Sequence, residues 1–226
     1  MFSFITNILE PLSYLVYFIG IAIYYKQQPL AQVKVLLIYY FVAAVLMAYA
    51  SVLARSGKEN VFVYNYFFLP LSIFSLTLYF FFTLNDRKKK IAILFLTFNF
   101  SLFLVKLFFF RSANIFDSIG FALLSLSIVA LSFVYFRQLL TNVSEISVLK
   151  KYDFWIVSGY IVSFSGSFIV FLTYYYLTKK ILATYTKEER YLLTFLWGIP
   201  NFLFFIGALS TLTGILWINY RRKLRS

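Results

Sequence analysis

Apolar residues run along this chain in seven long blocks separated by short charged links, and that alternation organises the whole sequence. The blocks lie at about 2–25, 35–54, 61–84, 91–110, 118–136, 154–178 and 191–220. Each approaches or exceeds the ~20 apolar residues that a helix needs to cross a hydrocarbon core of roughly 30 Å. No link is long enough to fold by itself. The pattern predicts an all-α, polytopic membrane protein: residues 1–226 form a single bundle of seven transmembrane helices. The last block holds 30 residues without a charge, more than a perpendicular crossing requires, so it should tilt or kink.

Composition agrees with the blocks. Hydrophobic residues make up 62% of the chain and mean hydropathy is +0.83, well above the roughly 45–50% apolar content of soluble domains. With 30 Phe and 19 Tyr, aromatic rings are abundant enough for lipid-facing surfaces and interfacial belts, and Tyr24, Tyr25, Tyr39, Tyr40 and Tyr220 are expected near span ends. The chain has neither cysteine nor histidine. Disulfides, thiolate chemistry, Cys- or His-ligated metal or haem, and Ser-His mechanisms are thereby excluded, and no cofactor is expected. The opening Met-Phe-Ser-Phe-Ile lacks the basic stretch and cleavage site of a secretory signal and is expected to be retained.

A net charge of +13 could suggest nucleic acid, but the cations sit in the short links and no soluble basic domain exists to carry such a contact. They read better as topology signals. The odd-numbered links and the C-terminus carry thirteen Lys and Arg, including the run at 87–90, against seven on the other side. By the retention of basic links in the cytoplasm, the N-terminus is expected outside and the C-terminus inside.

Orientation assigns depths to the rare polar residues. Asn7, Glu10, Asn65, Asn99, Lys106, Asp117, Trp197 and Asn201 fall in the outer half or at mid-depth, with Tyr174, Tyr175 and Tyr176 on the same side. The inner half reads as blander. A ligand site or polar network opening outward is the expectation, and each residue also has a plainer role. Glu10 before Pro11 can cap a helix at the interface, although 11–25 alone is too short to span and draws Glu10 inward. Lys106 can snorkel toward the headgroups and Asp117 can cap the span that follows; pairs of Lys106 with Glu10 or with Asp117 are both open. Asn99, mid-span, must hydrogen-bond, either as interhelical glue or with Asn65 and Asn201 around a ligand.

Small residues predict packing seams. Gly159, Ser163 and Ser167 recur at four-residue steps in span 6, and Gly207, Thr211 and Gly214 share a face of span 7. Pro70 and Pro200 are candidate hinges, and the Trp197-Gly198-Ile199-Pro200-Asn201 run is the strongest candidate for a bend that frees backbone groups. The link from Gln138 to Tyr152 carries Leu139, Leu140, Val143, Ile146 and Leu149, a spacing that suits an amphipathic extension of span 5 on the membrane surface.

Three runs carry a resemblance over the C-terminal half: Phe116-Asp117-Ser118-Ile119-Gly120, Tyr152-Asp153-Phe154-Trp155 and Leu196-Trp197-Gly198-Ile199-Pro200-Asn201. They resemble uncharacterised seven-helix membrane proteins of bacteria, especially Bacteroidota, which are similar to the seven-helix sensor regions of bacterial signalling kinases. The resemblance implies a sensor whose kinase or regulator is a separate polypeptide, since this chain stops six residues after its last span. It assigns no functional residue.

Other classes fit less well. A retinal protein needs a lysine in the last span, and 191–220 contains none. Eight acidic residues, mostly in links, do not form a hydrolase or transferase centre, so no enzyme is expected. The reading is a sensory or accessory subunit that binds a small or apolar ligand from the outer side and acts on a membrane or cytoplasmic signalling partner. The alternative is a small-solute transporter or channel.

Overall fold

The computed structural model describes residues 2–109, 116–141, 148–180 and 187–223. The amphipathic extension expected around Val143 and Ile146 lies outside the described residues. Seven helices are long and apolar enough to cross a membrane: α1 (Phe2–Gln27), α2 (Ala31–Arg55), α3 (Leu69–Thr83, preceded by a π-helical stretch Val63–Phe68), α4 (Asp86–Phe109), α5 (Ser118–Thr141), α6 (Tyr152–Lys180) and α7 (Lys187–Lys223). Most run a few residues beyond their apolar blocks, because helix continues into the headgroup region after the hydrophobic run has ended.

Pairwise packing closes six of the seven helices into a ring. α1 packs on α2 and α7, α2 on α3, α3 on α5, α5 on α6, and α6 on α7. α4 stands outside this ring against α3 and α5. Only 11% of its spanning window is buried, against 50% for α5, so α4 is the most lipid-facing helix of the bundle. Phe41, Val52, Leu94, Phe108 and Ile169 are among the large apolar side chains left on the outside, as lipid contact requires.

The irregular turn before α3 has an identifiable cause. Pro70 has no N–H to give and its ring crowds the carbonyl four residues back. Just before it the chain widens, and the Leu69 N–H reaches five residues back to Tyr64 O. That wide turn brings Tyr64, Asn65 and Phe68 into the interior. In α7 the backbone stays helical through Pro200.

The α6–α7 seam is tight because its residues are small. A Cβ added to Gly207 would stand 2.5 Å from the Gly159 carbonyl oxygen, and one added to Gly214 would stand 2.1 Å from the Trp155 ring. Ser163 and Thr211, both fully buried, complete the contact; Thr211 donates to Trp155 O at 3.2 Å, and Ser167 donates to Ser163 O at 2.6 Å.

The ring is filled with tyrosine, including three of the residues expected near span ends. Tyr24, Tyr39 and Tyr40 are almost wholly buried, whereas Tyr220 is exposed. The reason is helical phase. Glu10, Tyr14, Tyr17, Ile21 and Tyr24 fall at steps of four and three on one face of α1, and Leu36, Tyr39, Tyr40, Ala43 and Met47 do the same on α2.

Candidate functional site

Glu10 is strongly buried, 8% exposed, and the structure seats it inside α1 instead of at a helix end. The capping role is therefore corrected: α1 begins eight residues earlier, so Pro11 lies within the helix and Glu10 points into the ring. Tyr64, delivered by the π-helical stretch, donates to Glu10 Oε2 at 2.8 Å. Among the described residues no Lys or Arg lies within ion-pairing distance of this carboxyl group. A carboxylate in such a place requires either a proton or a cation from elsewhere.

Around Glu10 the walls are aromatic. Trp197 meets Tyr64 and Phe116 edge to face, with centroids 5.5 and 4.7 Å apart, and Tyr174 closes in at 6.0 Å. The enclosed cavity, ≈ 30 Å³, is lined by Glu10, Tyr64, Trp197, Pro200 and Asn201 among others, and has room for roughly one or two water-sized groups. Four residues singled out along the sequence thus converge: Glu10 on α1 with Trp197, Pro200 and Asn201 on α7.

Lys106 and Asp117 form a second polar cluster, and here the charge is matched. Lys106 donates to Asp117 Oδ1, so it does not reach out to the headgroups, and it is not paired with Glu10. The same Oδ1 accepts the Gly120 N–H at 2.9 Å, which makes Asp117 the N-cap of α5 as well. Asn65 Oδ1 accepts the Asp117 backbone N–H at 3.0 Å. The arrangement pins α3, α4 and α5 together at one point. About two turns of α4 away from Lys106, Asn99 donates to Ser127 Oγ and to its own Phe95 O, both at 2.8 Å. These bonds join α4 to α5; the alternative of Asn99 meeting Asn65 and Asn201 around a ligand is not the arrangement observed.

The half of the bundle away from Glu10, expected to be bland, carries polar groups too. From Glu10 the interior continues as a column of hydroxyl groups: Tyr39 with Ser72 at 3.1 Å, Tyr17 with Ser163 at 3.0 Å, and Tyr79 donating to Asp153 Oδ1 at 3.0 Å. Tyr17 stacks on Tyr40 at 4.6 Å, and Tyr160 is fully buried beside Tyr17 and Tyr79. Glu10 and Tyr24, which bound this column on α1, are fourteen residues apart, roughly 20 Å of helix rise. Beyond Tyr24 a second cavity, ≈ 460 Å³, opens between α1, α6 and α7 at the end of the bundle where Arg221 and Arg222 lie.

Sequence reasoning missed Tyr64, Ser127, the tyrosine column and Asp153. A signal for the column existed in the four- and three-residue spacing of Tyr14, Tyr17 and Tyr24 behind Glu10. No signal marked Tyr64, whose inward position depends on the π-helical turn. Set against known protein families, curated proteins and solved structures, the chain matches none of them.

Proposed function

We propose that this integral membrane protein is a sensory or accessory subunit that binds a small amine or similar cation from the outer side, at Glu10, and signals to a separate partner. One observation carries the reading: Glu10 is a buried carboxyl group with no Lys or Arg at ion-pairing distance among the described residues, and Tyr64, Phe116 and Trp197 line the space beside it. Aromatic faces and a carboxylate together suit a cationic head, since ring quadrupoles attract cations most strongly where water is excluded. The small volume limits the first occupants to groups of ammonium or methylammonium size; a larger one must displace Trp197.

Such displacement supplies the coupling. Trp197 lies three residues before Pro200 on α7, and the same helix ends beside the cavity at the opposite end. A change of tilt about Pro200 would reach Arg221 and Arg222 without any further relay. The resemblance to kinase sensor regions favours the same role.

The test uses Trp155→Phe/Trp217→Phe protein, whose one remaining tryptophan is Trp197, titrated with ammonium, methylammonium and tetramethylammonium in lipid nanodiscs. A saturable emission change that Glu10→Gln abolishes is the expected result. The sensor role further predicts recovery of a stoichiometric signalling partner from native membranes. Transport is the second reading, favoured by the hydroxyl column between the two cavities; solute flux into liposomes from the chain alone, with no partner recovered, would replace the sensor reading. A reporter fused after Ser226 and active outside the cytoplasm would reverse the orientation.

A further inference from the structure

The larger cavity, away from Glu10, has its own electrostatic problem. Lys150 and Lys151 just before α6 and Arg221 and Arg222 at the end of α7 line it, with Asp153 as the one acid among its lining residues. That acid accepts a hydrogen bond from Tyr79 and is partly buried at the inner wall. Among the described residues no carboxylate lies within ion-pairing distance of any of the four cations; the two ion pairs present join Lys89 to Asp86 and Lys106 to Asp117. Three positive charges in excess therefore face one concave space.

Two of those charges are already positioned. The Arg221 guanidinium lies 4.9 Å over the Trp217 ring and the Arg222 guanidinium 5.2 Å over Tyr152, whose ring in turn stacks on Tyr24 at 4.3 Å. Stacking uses the guanidinium face and leaves its N–H fork free, and that fork matches the paired oxygens of a phosphate group. The volume, ≈ 460 Å³, falls within the roughly 300–1,000 Å³ of small-ligand sites. Trp217, Ile218 and Tyr24 add apolar wall beside the cations, so the space suits an anion with an apolar body. Basic pockets between helices at the ends of membrane bundles take lipid head groups for these reasons.

We propose that the cavity bounded by Lys150, Lys151, Arg221 and Arg222 is a binding site for a phosphate group, carried by an anionic phospholipid or by a soluble phosphate compound. The proposal does not depend on Glu10 binding a cation.

The full chain, purified in neutral detergent, is offered an equimolar mixture of phosphatidylglycerol and phosphatidylcholine, and retained lipid is counted by native mass spectrometry. In parallel, inorganic phosphate and pyrophosphate are titrated against the thermal unfolding midpoint. The variant is Arg221→Gln/Arg222→Gln, and the control is Arg87→Gln/Lys90→Gln, which removes the same charge from exposed positions elsewhere at the same end. Retention of phosphatidylglycerol at least tenfold over phosphatidylcholine, lost in the variant and kept within twofold in the control, supports a lipid occupant. A saturable midpoint shift with phosphate or pyrophosphate, lost in the same variant, supports a soluble one. Equal losses in variant and control would reduce the effect to diffuse surface charge and overturn the proposal, as would the absence of both responses in the unaltered chain. Should Arg221→Gln/Arg222→Gln fail to fold, Lys150→Gln/Lys151→Gln removes the opposite wall and is judged by the same outcomes.

Discussion

Glu10 and Asp117 are both carboxyl groups held within the bundle at the same end, yet their surroundings differ in kind. Asp117 has Lys106 as counter-charge, the Gly120 N–H on the same oxygen and Asn65 on its own backbone N–H. Glu10 has Tyr64 and aromatic rings. The first is complete within the chain and serves to join α3, α4 and α5; the second is electrostatically incomplete. Identity of residue and depth of burial therefore do not separate a structural acid from a binding one. The presence of a matched cation does.

Removing that cation should have the largest effect. Lys106→Met keeps the length of the side chain and strands Asp117 with its charge unpaired, and it should cost about 2–3 kcal/mol, less than a fully buried pair because both partners keep some exposure. Denaturant titration in mixed micelles measures it. A loss below the noise of that titration would mean that water already neutralises Asp117, and the contrast with Glu10 would dissolve. Asn65→Leu comes next, at about 1–2 kcal/mol, because the Asp117 N–H loses its acceptor. Repair by Lys106→Met in the same chain is not expected, so the two losses should combine without cancelling.

Asn99→Leu probes the neighbouring contact between α4 and α5 and should cost roughly 1 kcal/mol, the usual scale of a polar contact between membrane helices. Unchanged stability would remove the account of Asn99 as glue. Because α4 has so little burial elsewhere, this loss should show as earlier proteolysis or faster hydrogen exchange of α4 than of the ring helices.

Legibility divided along physical lines. The seven spans were readable because a bilayer imposes a length and an apolar content on every crossing, and those are sums over ~20 residues that local irregularity does not disturb. Gly159, Ser163, Gly207 and Thr211 were readable as small residues at helical spacing. Direction inward or outward was harder. In water an apolar face marks the core, but in a membrane both faces are apolar, so the spacing of Tyr14, Tyr17, Tyr39 and Tyr40 marks a shared face without saying whether it turns inward or to lipid. Asp153 was hidden for another reason: it sits at a helix start, where an acid ordinarily faces the headgroups, and the Tyr79 hydroxyl from α3 meets it on the interior side. Tyr64 depends on a backbone irregularity that no periodicity announces.

The smallest expected change in stability is also the most informative. Glu10→Gln preserves shape, and its amide oxygen can still accept from the Tyr64 hydroxyl, so that hydrogen bond survives. What it removes is a group whose charged form has no cationic partner among the described residues. If the comparison with Asp117 holds, the unfolding free energy should stay within about 0.5 kcal/mol of the parent or rise, the reverse of Lys106→Met, because an uncompensated buried charge contributes nothing to folding. Binding should respond in the opposite sense, with the emission change of Trp197 on methylammonium lost entirely. A Glu10→Gln protein destabilised as much as Lys106→Met would place a cation of the chain itself beside Glu10, and Glu10 would then be a second structural acid. Stability kept and ligand response lost is the combination that only an acid reserved for an external cation produces.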